Sequence, residues 1–321
     1  YKSGGRMNFF KGKKVLITGA SGFIGRNLFE KMKELEADVI GTRFKNMTYM
    51  SDLTYCDLTD YKQIDNIIKV KKIDYVFMVA ARTYGARVLK EEPTAMVRDT
   101  ITMDANVLEA SRIHKVKKVS YISSSTVYQE SYNTLSENDL DWNKNPYHVY
   151  MGVGWVKRYI EKLCEFYSQI GLPTVVVRPT NVYGKYDKYE EGKSHFVPAI
   201  IKRVLEGQNP LQVWGTGYAV KDLIYVDDFI RDLLKVFVHC DKFDVFNICY
   251  GEDYTIKEIV QEIVKIIDST RTIIFDPSKP DSIPFKSVTR NKLDSLYGKE
   301  SYTSLNEGLK KVIEWMKEEI K

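Results

Sequence analysis

Three glycines near the start of the chain have the type and spacing that binding of a phosphate group requires. Gly19, Gly22 and Gly25 follow the apolar run 15–18 and precede apolar residues at helical spacing. In such a strand–turn–helix, the first glycine permits the tight turn, the second lets the backbone approach a pyrophosphate, and the third allows close helix–strand packing. The helix start adds free N–H groups and a partial positive charge, so we expect a dinucleotide here. The expected contacts in this turn are Gly19, Ser21, Gly22, Phe23, Ile24 and Gly25.

The adenosine end of this dinucleotide is specified less sharply. An acidic residue at the end of the second strand would bind the ribose 2′-hydroxyl of NAD, but the chain has Arg43 there. An arginine suits the 2′-phosphate of NADP, although it could also stack on adenine or face solvent. Asp57 and Leu58, after a later strand, are expected adenine contacts, and Ala80 and Ala81 end the next strand beside the cofactor. The cofactor prediction is therefore NAD(P), with NADP slightly favoured.

Strands and helices alternate through the first half of the chain, as a dinucleotide site of this kind requires. Predicted strands lie at 15–18, 38–42, 75–81, 119–123 and 174–178, and predicted helices at 24–35, 107–113, 156–170, 196–206, 255–268 and 303–319. This rhythm indicates an α/β fold, a doubly wound parallel (Rossmann) sheet with a smaller α/β substrate-binding lobe. Residues 7–185 are assigned to the dinucleotide-binding domain, with returns near 220–250, and 186–321 mainly to the lobe.

The overall composition argues against several classes of partner. A net charge of +5 over 321 residues, without a clustered basic stripe, disfavours a nucleic-acid partner. We find no apolar run of the roughly 18 residues that a membrane span needs. The four cysteines show no C-x-x-C spacing, and with four histidines no metal site can be assembled. We therefore expect a cytoplasmic protein with no metal, no membrane and no nucleic-acid partner.

Beyond the glycine turn, the chain resembles the extended short-chain dehydrogenases/reductases, the nucleotide-sugar epimerase/dehydratase group. Within that group it is similar to the GDP-L-fucose synthase branch over nearly its whole length. The matching residues are Asn106, 123–128, 178–184, 194–198, 214–217, Lys221, 226–228 and 275–281. The last of these segments resembles the GDP-sugar branch rather than the group in general.

The resemblance implies NAD(P) as cofactor and a GDP-linked sugar as substrate. The substrate contacts that it implies are Ser125, Thr126, Asn181, His195, Val197, Lys221 and Lys286. Lys221 stands where the family usually has an arginine on the diphosphate, so the charge is kept and the bidentate fork is lost. The resemblance also implies a homodimer through helices around 95–113 and 156–170.

One residue of the reaction centre that this family uses is missing. Its enzymes move hydride between a sugar carbon and the nicotinamide, while a tyrosine whose pKa is lowered by a lysine one helical turn later exchanges the hydroxyl proton. Ser124 matches the assisting serine, and Lys157 matches the lysine. The tyrosine position is occupied by Val153, which cannot exchange a proton.

Three explanations for this replacement stay open. Tyr150 precedes Lys157 by seven residues, about 10 Å along a helix axis, so a bent or late-starting helix could bring its hydroxyl in. Alternatively Ser124, a water molecule or the substrate itself relays the proton. Otherwise the alignment of the motif is wrong, or the site binds nucleotides and barely reacts.

Two further departures from the family pattern limit which reactions the site is expected to catalyse. The fucose enzymes use a cysteine in C3/C5 epimerisation where this chain has Thr126, a poor carbon-acid base, although His195 matches the partner acid. A 4,6-dehydratase would carry two carboxylates in the segment 124–126, which is Ser-Ser-Thr here. Double epimerisation and dehydration are therefore disfavoured.

The residues and the resemblance together predict an NAD(P)-dependent oxidoreductase that acts on a GDP-linked hexose or heptose at C4, for surface polysaccharide such as capsule. Ser124 would position the C4 oxygen, Lys157 would hold the nicotinamide ribose, and Tyr150 is the candidate proton carrier. One alternative is an epimerase that oxidises and re-reduces its sugar on tightly bound NAD. Another is a non-catalytic nucleotide-binding protein.

Overall fold

The computed structural model of the chain describes residues 9–45, 52–81, 93–190, 194–279 and 283–320. Pro280 and Asp281, at the end of the 275–281 motif, lie outside these ranges. The strands described are β1 (Lys14–Thr18), β2 (Asp38–Arg43), β3 (Thr54–Tyr55), β4 (Tyr75–Met78), β5 (Lys118–Ile122), β6 (Thr174–Pro179), β7 (Asn181–Tyr183), β8 (Leu211–Trp214), β9 (Val220–Tyr225), β10 (Asp244–Ile248), β11 (Asp253–Thr255), β12 (Ile273–Asp276) and β13 (Phe285–Lys286). The α-helices described are α1 (Phe23–Glu34), α2 (Tyr61–Lys71), α3 (Pro93–Ile113), α4 (Met151–Gln169), α5 (Phe196–Leu205), α6 (Val226–His239), α7 (Ile256–Ile267), α8 (Asn291–Tyr297) and α9 (Leu305–Glu319).

A seven-stranded parallel sheet forms the centre of the first half of the chain. Its strand order is β10-β6-β5-β4-β1-β2-β3, and every neighbouring pair is parallel. The chain runs outward from β1 in one direction through β2 and β3, and in the other through β4, β5 and β6. The order therefore reverses between β1 and β4, and the crevice at such a switch point is where doubly wound folds bind ligands. The predicted doubly wound α/β fold is confirmed.

Helices cover both faces of this sheet, which explains why its central strands are apolar throughout. Every residue of β4, β5 and β6 is buried, as expected for parallel strands between two helical layers. On one face α1 and α6 pack in a core that contains Phe29 and Phe237. On the other face α2, α3 and α4 pack in a second core that contains Ile64, Val107 and Ile160.

The second half of the chain builds a smaller group of strands and helices beside the carboxyl edge of the sheet. Strand β9 lies between β11 and β13 and also pairs with β7, while β8 pairs with β12. Helix α7 begins at a capping box of Thr255 and Glu258, and α9 begins at one of Ser304 and Glu307. Since β7 follows β6 directly, these strands are held close to the end of the parallel sheet.

The predicted elements are present but differ from the structure at their ends, and α2 (Tyr61–Lys71) and β10 (Asp244–Ile248) were not predicted. Helix α3 starts at Pro93, well before the predicted 107, and β4 ends at Met78 rather than at 81. Mixed polar and apolar residues along the first turns of α3 give weak helical periodicity, so the sequence underestimates its length. Within the described ranges, no helix is long and apolar enough to cross a membrane.

Candidate active site at the carboxyl edge of the sheet

At two positions of the glycine turn (residues 19–25), backbone atoms lie too close to leave room for a side chain. Gly19 has a φ of 68°, and a Cβ there would lie 2.7 Å from the Cα of Ala80. A Cβ on Gly25 would lie 2.2 Å from the carbonyl oxygen of Gly19. Helix α1 has Gly22 as its N-cap and no side chain capping it, so its first N–H groups are left for another partner. The turn therefore fits a pyrophosphate at the helix start.

Two threonines that the sequence reading overlooked tie the loops around this turn together. The backbone N–H groups of Val79 and Ala80 both donate to Thr18 Oγ1 at 3.1 Å. The N–H of Gly19 donates to Thr42 Oγ1 at 3.2 Å. These bonds join the loops that leave β1, β2 and β4. Both threonines are the last residues of predicted strands. That position is the signal that could have identified them.

The predicted adenosine contacts gather at the far end of the same edge. Arg43 ends β2, next to the loop that contains Asp57 and Leu58. Asp57 Oδ1 accepts hydrogen bonds from the N–H and the hydroxyl of Thr59, at 3.0 and 2.7 Å. Asn106 on α3 donates to the carbonyl oxygen of Leu58 at 2.9 Å. One carboxylate oxygen of Asp57 therefore shapes its own loop, and Asn106 fixes that loop to the helix layer.

Lys157 lies on α4 beneath the end of β5. Its ammonium group is buried and donates to the carbonyl oxygen of Ile122 at 2.8 Å. The same nitrogen lies 4.7 Å from the centroid of the Tyr121 ring. Burial lowers the pKa of Lys157, and the carboxylates of Asp104 and Glu161 oppose that change. The structure thus places the lysine at the carboxyl end of β5, and its role towards the nicotinamide ribose stays a prediction.

The helix that carries Lys157 is regular through the position of the missing tyrosine. Helix α4 begins at Met151, so Val153 lies one turn before Lys157 on the same face. Helix α4 therefore does not start late, and that way of bringing Tyr150 towards Lys157 is not observed. Tyr150 instead ends a short 3₁₀ helix just before α4. Burial, and then the nearby Tyr147, raise its pKa above the ordinary value, which favours the neutral phenol.

A small pocket, here called the β5–β13 pocket, lies between the segment after β5 and strand β13. Its lining includes Ser125, Thr126, Tyr147, Tyr150, Phe285 and Lys286. The hydroxyl oxygens of Ser125 and Thr126 are buried and have no hydrogen-bond partner within the described part of the chain. The Lys286 ammonium lies 5.5 Å from the centroid of the Tyr150 ring, and burial lowers the pKa of Lys286 to about 8. Hydroxyls without partners beside a cation suit a ligand rich in hydroxyl and phosphate oxygens.

The two predicted substrate lysines are neighbours across a pair of strands. Lys221 of β9 and Lys286 of β13 are direct partners in a parallel register, so their side chains project from the same face of that sheet. Lys221 donates to the carbonyl oxygen of Ile283 at 2.6 Å. Asn181 of β7 donates to the carbonyl oxygen of Asp222, on the other side of β9, at 2.8 Å. This arrangement concentrates positive charge beside the β5–β13 pocket.

His195 is held by a carboxylate that the sequence reading did not single out. A ring nitrogen, Nδ1, lies 2.8 Å from Oδ1 of Asp187, whose side chain is 1% exposed while that of His195 is 52% exposed. Burial lowers the pKa of His195, but the hydrogen bond and charge of Asp187 outweigh it and raise that pKa above the ordinary value. Val197, two residues later in α5, is buried in the apolar core, so its side chain packs there.

Comparison with known proteins agrees with this geometry. The model of the NAD dependent epimerase/dehydratase family matches residues 15–249 of the chain. GDP-L-colitose synthase of Yersinia pseudotuberculosis is 27% identical over 311 residues, 94% of this chain and 97% of that protein. GDP-L-fucose synthase of Sinorhizobium fredii is 27% identical over 315 residues, 96% of each protein. The structure of UDP-glucose 4-epimerase from Thermotoga maritima superposes with a TM-score of 0.86 at 25% identity, over 96% of this chain and 100% of that one.

The chain belongs to the NAD dependent epimerase/dehydratase family. It is therefore an NAD(P)-dependent enzyme of the extended short-chain dehydrogenase/reductase type, which confirms the resemblance and NAD(P) as cofactor. The preference for NADP stays a prediction. The part of this structure that fits the dinucleotide is the glycine turn, where a Cβ on Gly19 or Gly25 would collide with the backbone.

In this epimerase/dehydratase-family enzyme, a buried polar network fixes the helix that carries Lys157. Arg178 of β6 makes two hydrogen bonds with the Glu161 carboxylate of α4, at 3.0 and 2.7 Å. Ser123 donates to the same carboxylate at 2.5 Å, and Arg178 also donates to the Tyr128 hydroxyl at 2.9 Å. The network links β5, β6 and α4 directly below the candidate reaction centre. Ser124 lies at its upper edge, where its hydroxyl accepts from the N–H of Thr126 at 3.1 Å.

Proposed function

We propose that this enzyme is an oxidoreductase that acts at C4 of a GDP-linked hexose or heptose, in the biosynthesis of surface polysaccharide. The observation that carries the proposal is the pairing of Lys221 with Lys286 beside a pocket walled by the hydroxyls of Ser125 and Thr126. Two adjacent cations suit a diphosphate, and hydroxyls without partners suit a sugar. The names of the colitose and fucose relatives, both GDP-sugar synthases that align over nearly the whole chain, support the choice of nucleotide.

The two halves of the chain would divide the ligands between them. Residues 7–185 would hold the dinucleotide at the glycine turn, and residues 186–321 would hold most of the sugar nucleotide. Strand β10 and helix α6 belong to the sheet layer although they come from the second half. The β5–β13 pocket, which takes side chains from both halves, is where the two ligands would meet.

The enzyme's own residues would orient the reaction and handle its proton. Bound NAD(P) would accept or supply the hydride. Lys157 would hold the nicotinamide ribose, and Ser124 would orient the oxygen on the reacting sugar carbon. Tyr150 would exchange the proton, because it lines the β5–β13 pocket beside the cation Lys286. The other phenol next to a cation in this lining, Tyr128, is already held by Arg178 and Asn247. Ser124 or an ordered water is the alternative relay for that proton.

Identification of the bound and reacting nucleotides tests the proposal. The nucleotide released from purified protein is identified by mass, and GDP-hexoses and GDP-heptoses are then screened with NAD(H) and NADP(H) for a change at 340 nm. The proposal predicts turnover with a GDP-sugar and none with the matching UDP-sugar. Turnover with UDP-sugars alone, or with no nucleotide sugar in either direction, would overturn it.

A C4 epimerase is the second candidate, favoured by the similarity to the Thermotoga maritima UDP-glucose 4-epimerase. An epimerase returns the hydride to the sugar, so its cofactor is unchanged after each turnover. Conversion of one sugar nucleotide into its C4 epimer with no stoichiometric change at 340 nm would favour the epimerase. Equal amounts of oxidised sugar and reduced cofactor would favour the dehydrogenase or reductase.

We also propose a homodimer through helices α3 and α4. Along one side of α4 and just after it, Trp155, Tyr159, Phe166 and Ile170 are 36%, 50%, 52% and 49% exposed. Their spacing places them on one helical stripe, and an uncovered apolar stripe of this kind marks a contact surface. Light scattering should give twice the protomer mass for the wild type and a single protomer for Tyr159→Glu with Phe166→Glu. A dimer that survives this change, or a monomeric wild type, would contradict the interface; Lys317→Glu on α9 is the control for an exposed charge change.

A further inference from the structure

The turn that follows β7 is anchored on α1, the helix that begins at the glycine turn. Asn27 of α1 donates to the carbonyl oxygen of Lys185 at 3.0 Å, and the guanidinium of Arg26 lies 3.6 Å from the centroid of the Tyr186 ring. Tyr186 has a φ of 70°, in the left-handed region that a bulky residue seldom adopts. Backbone strain of this kind points to a constraint on what the turn presents, and the next residue is Asp187.

Asp187 turns its buried carboxylate towards His195. Its Oδ1 lies 2.8 Å from Nδ1 of the imidazole and also accepts the backbone N–H of Lys188 at 2.8 Å. An ionised carboxylate can only accept hydrogen bonds, so the short contact requires a proton on Nδ1. Nε2 is then the ring nitrogen left for another partner.

His195 is the N-cap of α5, yet its side chain makes no capping hydrogen bond. An N-cap side chain commonly accepts from the first N–H groups of its helix, whereas this ring is held by Asp187 instead. The position disfavours a charged ring, because a helix N-terminus carries a partial positive charge.

Most of the described surroundings of His195 also oppose its protonation. Burial, and then the charges of Lys188 in the same turn and Lys286 on β13, lower the pKa of His195. The hydrogen bond and charge of Asp187 outweigh them and raise that pKa above its ordinary value. Asp187 is therefore the described group that favours the charged ring.

We propose that Asp187 is a positioning residue for His195: it holds Nδ1–H and favours the protonated imidazole, so that Nε2–H is presented to an oxygen of the sugar nucleotide. The inference rests on the proposed substrate contact of His195 and extends it to the residue behind the ring. Because α1 anchors the turn that carries Asp187, the helix at the dinucleotide site also fixes this donor for the second ligand.

The direct test follows the protonation of His195 in the free enzyme. The chain has four histidines, so the ring Cε1–H signal of His195 is assigned by its loss in His195→Gln. An opposite charge close to a titrating group shifts its pKa by roughly 1–3 units, so Asp187→Asn should titrate at least about one pH unit lower. Glu206→Gln, an exposed change at the other end of α5, should leave the titration unchanged. An unchanged His195 titration in a folded Asp187→Asn protein would overturn the inference.

The wild type alone gives a second reading, which stands even if Asp187→Asn fails to fold. Above the pKa of His195, the neutral ring should keep its proton on Nδ1, and the ¹⁵N shifts of the two ring nitrogens distinguish this tautomer from the other one. A proton on Nε2 at that pH would overturn the proposed hydrogen bond.

Binding of GDP-mannose, measured by calorimetry, connects this titration with the substrate. Wild-type affinity should fall roughly tenfold as pH rises through the His195 titration, the value of one modest charge-assisted hydrogen bond. The fall should come about one pH unit earlier in Asp187→Asn and should be absent in His195→Gln. The double variant should bind as His195→Gln does, because Asp187 acts through the ring.

Three results would contradict this account in different ways. A double variant that binds more weakly than His195→Gln would give Asp187 a structural role independent of the ring. An affinity that does not follow the His195 titration would remove His195 from the substrate site, and with it the positioning role. If the wild type binds neither GDP-mannose nor GDP, the proposed function fails, while the two NMR readings still decide the Asp187–His195 pairing.

Discussion

The glycine turn and the β5–β13 pocket lie at the same edge of the sheet, but the turn is shaped by backbone packing and the pocket by side chains. In the turn, backbone atoms pack so closely that an added Cβ on Gly25 would lie 2.2 Å from a carbonyl oxygen. In the pocket, side chains from separate segments converge, and the hydroxyls of Ser125 and Thr126 are buried without partners. In the turn it is the first N–H groups of α1 that are left for a partner, whereas in the pocket it is side-chain hydroxyls. This difference contrasts a turn whose shape is set by its backbone with a pocket whose lining side chains set which ligand it can take.

The largest expected effect comes from filling the turn. Gly25→Ala forces its Cβ against Gly19, so the turn must open. The N–H groups at the start of α1 then no longer point at the pyrophosphate. Losing two charge-assisted hydrogen bonds, each about 1.5–3 kcal/mol, weakens NAD(P)H affinity by roughly 100-fold or more. Gly22→Ala is the matched comparison, because its Cβ would lie 3.3 Å from the same carbonyl oxygen. Fluorescence titration should rank wild type, Gly22→Ala and Gly25→Ala in falling affinity; equal affinities would show that the turn is not the phosphate site.

The same contrast explains what could be predicted from the sequence. The glycine spacing and the apolar strands specify backbone geometry locally, so the doubly wound sheet and the turn are readable from residue types alone. The partner of His195 is Asp187, and the bonds of Thr18 and Thr42 join different strands. Such contacts join residues that the folded chain brings together, so the sequence marks the two threonines by their place at strand ends but does not reveal their partners or that of His195. Asp104 was overlooked for a further reason, since a single acidic residue inside a helix ordinarily faces solvent.

Removing the Tyr150 hydroxyl tests how the pocket replaces the tyrosine missing at Val153. General acid–base catalysis contributes about 10²–10⁴-fold, so Tyr150→Phe should lower kcat by roughly 100-fold and leave KM for the sugar nucleotide nearly unchanged. Tyr147→Phe, which alters a phenol in the same pocket, is the control and should change kcat little. A Tyr150→Phe enzyme with wild-type kcat would assign the relay to Ser124 or to water.

Above neutral pH, the dependence of KM for the sugar nucleotide on pH should report the protonation of Lys286. Burial lowers the pKa of Lys286 to about 8, so its ammonium is charged below that pH and neutral above it. KM for the sugar nucleotide should therefore rise as pH passes 8, and Lys286→Met should show a high KM at every pH. The expected rise is about tenfold, the value of one modest charge-assisted hydrogen bond. Lys265→Met, an exposed lysine on α7, should keep the wild-type profile; an unchanged profile in Lys286→Met would remove Lys286 from the diphosphate site.

The last expected effect is on stability rather than activity, and it concerns Asp104, a buried carboxyl on α3. Burial raises the pKa of Asp104 to about 7, against the opposing charge of Lys157, whereas an unfolded chain has an aspartate near 3.9. The folded protein therefore binds more protons between these values, so this carboxyl makes stability fall as pH rises from about 4 to 7. Asp104→Asn removes that dependence. Its stability relative to the wild type should rise by about 1–3 kcal/mol across the window, measured by urea unfolding at several pH values. A difference that stays constant with pH would mean that Asp104 is already ionised at pH 4, and thus that Lys157 stabilises its charge more strongly than burial opposes it.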